Sequence, residues 1–138
     1  MAAKDLFHNA VKAALRKEGW HITDDPLVVQ FGGVDFYIDL GAEKLIAAEK
    51  EGQQIAVEIK SFLGPSLVSD FHGALGQFLN YRLALETEDP TRQLYLAVPL
   101  DTHTTFFALP FAQLAADRYQ LKRIIYDAQA QEIIQWIN

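Results

Sequence analysis

One short apolar run constrains the fold more than any other feature of the chain. Residues 94–98 are apolar at every position and are bounded by Gln93 and Pro99. This pattern, without polar alternation, is typical of a strand that is buried on both faces of a sheet. Such a strand lies inside a sheet that other elements cover on both sides. We therefore expect residues 94–98 to form a central strand with helices packed on the sheet.

Two long segments and one short segment have the 3.6-residue period of amphipathic helices. The first predicted helix spans residues 5–18, with Asp5 as its N-cap and Gly19 as its stop signal. The second is capped by Ser66 and ends by Asp89-Pro90. A shorter helix is predicted at residues 111–116. These helices are candidates for the layers that cover the sheet.

Extended segments account for most of the remaining chain. Besides 94–98, strands are predicted at residues 36–40, 45–49, 54–62, 121–126 and 132–137. Residues 27–30 are also extended, but this segment is too short to count as a core strand. The predicted order is α-β-β-β-α-β-α-β-β, an α/β (α+β) fold with a mixed β-sheet flanked by helices. The last hairpin, turning at residues 127–130, is a candidate appendage for assembly.

Length, charge and composition limit the class of protein. A chain of 138 residues is the size of one domain, so we treat residues 1–138 as one unit. It has no cysteine, no apolar signal-peptide core and no run approaching the roughly 18 apolar residues of a membrane span, which favours a cytoplasmic protein without membrane partners. The net charge of −6 argues against a general basic surface for nucleic acid. Divalent cations at a carboxylate cluster, or a partner subunit, could supply positive charge.

The segment that carries the clearest chemical pattern is residues 55–62. Apolar residues alternate along it with Glu58 and Lys60, so these two side chains share one face of the strand. A carboxylate and an ammonium group on a face that packs against helices lose hydration, which favours a functional site. An ordinary ion pair on an edge strand would produce the same pattern, and the spacing alone favours neither interpretation.

A second carboxylate is expected close to the first. Between residues 35 and 40 polar and apolar residues alternate, which turns Asp39 away from the hydrophobic face and towards Glu58 across the sheet. Two converging carboxylates suit Mg²⁺, which completes its shell with water and phosphate oxygens. Lys60 would then position or help deprotonate the attacking water, or stabilise charge in the transition state. Asp35 and Glu49 are rival acidic ligands.

In chain order, Asp39, Glu58 and Lys60 resemble the motif of the PD-(D/E)XK nucleases. That motif has an acidic residue on one strand, a hairpin, and then Glu-x-Lys inside an apolar strand that is followed by a helix. Ile38 stands where the motif has proline. The resemblance implies a restriction-endonuclease-like core, Mg²⁺ or Mn²⁺ held by Asp39 and Glu58, and phosphodiester hydrolysis of DNA with all three residues catalytic.

Helix two carries a second element of this kind. Gln77-Phe-Leu-Asn-Tyr81 resembles the QxxxY element of the RecB-like branch of these nucleases. The i, i+4 spacing places Gln77 and Tyr81 on one helical face. The resemblance implies a position on the substrate side of the active site. A polar margin of an amphipathic helix is the simpler interpretation of the same spacing.

Other ionisable residues have weaker claims to a site. Glu18, at the end of helix one, is a possible accessory metal ligand, because an acidic residue of the first helix has this role in many nucleases of the fold that the chain resembles. A solvated surface position is the alternative for it. His8, His21, His72 and His103 show no metal-ligand spacing and are interpreted as structural or surface residues.

Longer stretches across nearly the whole chain identify a family. Residues 4–8, 19–20, 34–44, 47–52, 55–65, 74–77 and 94–99 are similar to the XisH family of fdxN element excision controlling factors. The resemblance implies a cyanobacterial protein that controls excision of a DNA element from a nitrogen-fixation gene during heterocyst differentiation. A site-specific recombinase performs that excision, and a small XisI-like companion is an implied partner.

Two functions follow from these patterns. The first is a Mg²⁺-dependent DNA endonuclease or nicking enzyme that uses Asp39, Glu58 and Lys60. The second is a non-catalytic accessory protein of nuclease fold that binds the recombinase, the XisI-like companion or DNA without cutting. Because the chain is acidic, we expect it to bind DNA only with a partner protein. A homo-oligomer is a further possibility.

Overall fold

The computed structural model describes residues 3–44 and 52–138. In this part of the chain the elements are α1 (Ala3–Lys17), β1 (His21–Asp24), β2 (Leu27–Phe31), β3 (Val34–Ile38), β4 (Leu40–Lys44), β5 (Gln53–Ile59), α2 (Leu67–Glu88), β6 (Gln93–Pro99), α3 (Leu100–Thr105), α4 (Pro110–Arg118), β7 (Arg123–Asp127) and β8 (Glu132–Ile137), with a 3-10 turn at Phe106–Ala108. The predicted α/β class, a mixed sheet flanked by helices, is confirmed.

The main sheet has six strands in the order β1-β4-β5-β6-β7-β8. The three central strands β5, β6 and β7 run parallel, and the outer pairs are antiparallel. Strand β6 is buried from Leu94 to Pro99, which confirms the central strand predicted from the apolar run. Strands β2 and β3 form a separate two-stranded sheet that packs on α2.

Both faces of the main sheet are covered. On one face, α2 and the segment from α3 to α4 bury Phe71, Phe78 and Phe106 against the sheet. On the other face, α1 packs Val11 and Leu15 against the sheet. This two-sided burial explains why the central strands are apolar at successive positions. None of the helices in the described ranges combines the length and apolar composition that crossing a membrane requires.

The predicted strand at residues 36–40 is in fact divided between two sheets. Its first part belongs to β3 and its last residue begins β4, and Asp39 separates the two. The division results from contacts with β5, because Asp39 bonds to the side chain of Glu58 and to the backbone of Ile59 instead of continuing a strand. The break brings a carboxylate to the carboxyl end of β5.

Three short elements were missing from the predicted order: β1, β2 and α3. Strand β2 contains residues 27–30, which the prediction did not count as a core strand, and it lies in the small sheet and not in the main one. Strand β1 has four residues at the edge of the sheet, and α3 consists of Leu-Asp-Thr-His-Thr-Thr. Thr, Asp and His have modest helix propensity, so packing rather than local sequence accounts for α3. The described order is therefore α-β-β-β-β-β-α-β-α-α-β-β. The predicted strand at 45–49 lies outside the described residues.

The last hairpin is an integral part of the main sheet and not an appendage. Strand β8 pairs along β7 and also contacts α1. Its Trp136 ring lies 5.7 Å from the ring of Trp20 and 5.1 Å from that of Tyr95. These contacts fix the hairpin to the core on the α1 face.

Candidate metal centre

Two carboxylates meet at the carboxyl end of β5. The backbone N–H of Asp39 donates to Oε1 of Glu58 at 3.2 Å, and the N–H of Ile59 donates to Oδ2 of Asp39 at 2.8 Å. Each carboxylate therefore has one oxygen fixed by backbone of the neighbouring segment. The structure brings Asp39 and Glu58 together, as predicted, but through the break between β3 and β4 and not through alternation along one strand.

Lys60 lies at the outer side of this pair. Its Nζ is 3.3 Å from Oε2 of Glu58, and its side chain is 28% exposed whereas that of Glu58 is 6% exposed. The backbone N–H of Lys60 donates to the carbonyl of Ala97, which prolongs the parallel pairing of β5 with β6 and holds Lys60 in place. The ammonium group can thus reach solvent or a ligand while the Glu58 carboxylate stays inside.

The charges of Asp39, Glu58 and Lys60 do not cancel, because two carboxylates face one ammonium group. Burial raises the pKa of Glu58 to about 7, the nearby Asp39 carboxylate adds to the increase, and Lys60 opposes it. Two acids facing one lysine in a poorly hydrated position favour the arrival of another cation. No third His, Cys, Asp or Glu joins them in a metal-binding group within residues 3–44 and 52–138. Two carboxylates are a ligand set that suits Mg²⁺, whose shell water and phosphate oxygens would complete.

Helix α2 borders the carboxylate pair. Burial raises the pKa of Tyr81 to about 12, and the charges of Glu58 and Asp39 contribute. Its ring packs edge-on against Phe36 at 5.9 Å. Gln77, one turn earlier, is exposed and lines a cavity of about 460 Å³ together with Lys60. Tyr81 therefore lies near the carboxylate pair, whereas Gln77 shares a cavity with Lys60 but not with the two carboxylates.

Glu18 does not lie with Asp39 and Glu58, so the prediction that it is an accessory metal ligand is wrong. Its carboxylate accepts a hydrogen bond from Nε1 of Trp136 at 2.9 Å and lines a different cavity with Trp20. The physical reason is the direction of α1, whose beginning borders Asp39 and whose end lies roughly 15 Å further along the helix axis. Of the rival acids, Asp35 is exposed on β3 and Glu49 lies outside the described residues.

His8 lies closer to the cluster than the sequence indicates. It lines a small cavity of about 30 Å³ together with Asp39, Ile59 and Ser61. Its Nε2 is 2.8 Å from Oδ1 of Asp25. The interpretation of His8 as only structural or surface is thus incomplete. No spacing rule could have found this neighbour, because the contact depends on how α1 docks on the sheet.

Comparisons with known proteins agree with one another. The chain matches the family model described as XisH protein over residues 1–134. It is similar to the crystal structure of an XisH family protein from Nostoc punctiforme PCC 73102, with 51% identity, a TM-score of 0.90, and coverage of 97% of this chain and 100% of that chain. It is also similar to a fdxN element excision controlling factor protein from Anabaena variabilis, with 51% identity, a TM-score of 0.88, and coverage of 97% and 99%. No curated protein matches it.

Proposed function

The chain belongs to the XisH family, and from this premise we propose that it is an excision controlling factor that acts as a metal-dependent, endonuclease-like protein in site-specific DNA excision. The observation that carries the proposal is the contact between a half-buried Asp39 and a buried Glu58, with the partly exposed Lys60 beside Glu58. The chain order of these residues resembles the motif of the PD-(D/E)XK nucleases. It offers the charge and the ligand types that hydrolysis of a phosphodiester with Mg²⁺ or Mn²⁺ needs.

Asp39 and Glu58 are the residues that would hold the metal ion. When bound there, Mg²⁺ supplies a Lewis acid for a phosphoryl oxygen and lowers the pKa of a bound water. Glu58 must be ionised to act as a ligand, so its raised pKa makes metal binding weaker in acid. Lys60, with its partly exposed ammonium, would contact the phosphate and stabilise the charge that develops on it.

The two α2 residues have binding roles in this proposal. With its pKa raised to about 12, Tyr81 keeps its proton at neutral pH and donates a hydrogen bond rather than acting as a base. Gln77 presents an exposed amide that can donate to a phosphate or accept from a base. Both would orient the DNA strand next to the metal ion.

A partner protein is part of the proposal because of charge. With a net charge of −6, the protein has few cations to neutralise phosphates, so an XisI-like companion or the recombinase would supply the DNA-binding surface. The same acidity favours a second candidate, a non-catalytic accessory protein. In that case the ion pair of Glu58 with Lys60 is purely structural and no metal is required.

A cleavage assay separates the two candidates. Supercoiled and linear DNA are incubated with Mg²⁺ or Mn²⁺, with and without the companion, using wild type, Lys60→Ala and Lys17→Ala. We expect nicked or linear products, a loss of about 100-fold or more in Lys60→Ala, and no change in Lys17→Ala, whose ammonium donates to the carbonyl of Ala130. Absence of product under every condition would favour the accessory protein.

A further inference from the structure

The cavity of about 460 Å³ beside Lys60 adjoins the candidate metal centre. Lys60 belongs to both, because its Nζ lies 3.3 Å from Oε2 of Glu58 and its side chain lines the cavity. We call this space the Lys60 cavity. Residues 60–64 form one of its walls, and α2 forms the other with Ser69, Asp70, Gly73, Ala74 and Gln77. A molecule bound at the metal centre can therefore extend into the cavity past Lys60.

The helix wall of the Lys60 cavity is accessible from solvent. Ser69, Gly73 and Gln77 are exposed and follow one another at i, i+4 and i+8, so they lie along one face of α2. At the helical rise of 1.5 Å per residue, this face extends over about 12 Å. Such a length exceeds that of a single phosphate group, so the cavity suits a segment of a polymer better than an isolated ion.

Gly73 is a residue of this wall that the packing of the protein does not explain. A Cβ added to Gly73 would have no atom within 4 Å, so no neighbour requires a glycine at this position. Glycine in the interior of a helix is less favourable than alanine. Helix α2 therefore loses stability at a position that lines the cavity, and the space that a side chain would fill stays open to a ligand.

The opposite wall is held in place on both sides. Phe62 has a φ of 53°, which is unfavourable for a bulky residue. Its ring packs against those of Phe106 and Phe107, at 6.5 and 5.9 Å between centroids. The N–H of Gly64 donates to Oδ2 of Asp70 at 2.9 Å, which ties the loop to α2. Strained backbone of this kind persists where its surroundings fix it, and it is common at ligand sites.

We propose that the Lys60 cavity holds the sugar–phosphate backbone of the DNA strand next to the phosphate that is cut, and that Gly73 determines how closely this backbone approaches α2. This inference rests on the proposed function, since it extends the substrate from the metal centre past Lys60. Proteins contact the DNA backbone through Lys, Ser and Gln side chains, among others. The cavity offers these groups from Lys60, Ser61, Ser69 and Gln77. A glycine allows the close approach that a side chain would prevent.

The two charges that line the cavity orient the strand. Among the described residues that line it, Lys60 is the one cation and Asp70 is the one acid. Asp70 lies in the first turn of α2 and Gln77 lies two turns later, so the acid is at the end far from the metal centre. A phosphate is attracted by Lys60 and repelled by Asp70. We therefore expect a phosphate beside Lys60 and an uncharged sugar beside Asp70.

Gly73→Ala and Gly73→Leu test the cavity, with Gly76→Ala and Gly76→Leu as matched controls. Both glycines lie within α2 and have no atom within 4 Å of an added Cβ, but of the two only Gly73 lines the cavity. All four variants should melt about 2–4 °C higher than wild type, because each replaces a glycine in a helix. In the cleavage assay, Gly73→Leu should lower kcat/KM about tenfold or more, and Gly73→Ala should lower it less. The Gly76 variants should stay within about twofold of wild type.

A binding measurement tests the cavity without cleavage. A short single-stranded DNA oligonucleotide is titrated with Mg²⁺ into ¹⁵N-labelled protein at low ionic strength, where phosphate contacts are strongest. The backbone signals of Gly64, Ser69 and Gly73 are followed. Deoxythymidine monophosphate is titrated in parallel to distinguish a DNA strand from a free nucleotide. We expect the oligonucleotide to shift these signals and the free nucleotide to bind about tenfold more weakly, because it lacks the linked groups of the strand.

The proposal is supported if the Gly73 variants melt higher but lose cleavage and oligonucleotide binding, while the Gly76 variants melt higher and keep both. Equal losses at the two glycines, unchanged cleavage in Gly73→Leu, absence of shifts around the cavity, or a Gly73→Ala variant that melts below wild type would overturn it. A free nucleotide that binds as tightly as the oligonucleotide would overturn the DNA assignment. Shifts around the cavity in a wild type that never cuts would contradict the proposed function and not the cavity.

Discussion

Asp25 and Glu58 are carboxylates in contrasting surroundings, and their pKa values shift in opposite directions. Asp25 accepts hydrogen bonds from His8 at 2.8 Å and Lys12 at 2.6 Å, and although slight burial opposes its ionisation, these partners lower its pKa. Glu58 is deeply buried and faces a second carboxylate, Asp39, and its pKa rises to about 7. The charge of Asp25 is balanced by its two partners, whereas a further cation would stabilise the ionised form of Glu58.

The largest expected effect is on the pH dependence of stability. Between pH 4.5 and about 7 the folded state holds a proton on Glu58 that the unfolded state has released, so stability falls as pH rises through this window. A shift of this size corresponds to about 3 kcal/mol. Glu58→Gln should match wild type below pH 4.5 and be more stable by up to about 3 kcal/mol above pH 7, measured by urea denaturation. A less stable variant above pH 7 would mean that the Lys60 ion pair dominates.

Metal binding is the next largest effect. Mg²⁺ at about 100 times its dissociation constant should stabilise the wild type by about 2.7 kcal/mol, because only the folded state holds the ion. Mg²⁺ should therefore raise the melting temperature of the wild type. Asp39→Asn removes one ligand, so most of this increase should be lost in the variant. Asp35→Asn, exposed on β3, is the matched control and should keep it. A wild type that melts identically with Mg²⁺, with Mn²⁺ and with a short duplex added would contradict the metal centre.

A smaller effect of the opposite sign is expected at Asp25. Its lowered pKa means that it stabilises the fold above the ordinary value of 3.8 and that this contribution disappears as pH falls through the lower folded value. Asp25→Asn should therefore cost less than about 1 kcal/mol at neutral pH, as for other exposed ion pairs. Denaturation curves of the variant and wild type should converge in acid. If Asp25→Asn were more stable than wild type at neutral pH, the ionised form of Asp25 would destabilise the fold, as is expected for Glu58.

The smallest effect is predicted for Glu18. Glu18→Gln keeps an oxygen that can accept from Nε1 of Trp136, so stability should change by less than about 0.5 kcal/mol. The increase in melting temperature with Mg²⁺ should equal that of wild type. If Mg²⁺ no longer raised the melting temperature of Glu18→Gln, Glu18 would be a metal ligand after all.

Elements with strong local signals could be predicted from the sequence. Helix α2 begins after Ser66, whose hydroxyl accepts from the N–H of Ser69, and ends before Asp89-Pro90, as the capping and proline signals indicate. Strand β8 has the predicted bounds, Glu132–Ile137. The proximity of Asp39 to Glu58 was also predicted, although Asp39 lies at the break between β3 and β4 and not on a strand face.

Features that depend on tertiary contacts could not be predicted in this way. The division of a strand at Asp39 results from its bonds to Glu58 and Ile59, which are distant in sequence. Helix α3 forms from residues with weak helical preference because the core holds it. The burial of Tyr126 arises only once α1 packs over β7.

The central claim, that Asp39 and Glu58 form an incompletely balanced pair that receives a cation, is tested most directly by titrating the side-chain carboxyl carbon of ¹³C-labelled Glu58 by NMR. Because the two acids interact, the midpoint belongs to the pair. Without metal we predict a main transition near pH 7, which Mg²⁺ moves to clearly lower pH. A transition near 4.5 that is the same with and without Mg²⁺ would contradict the account.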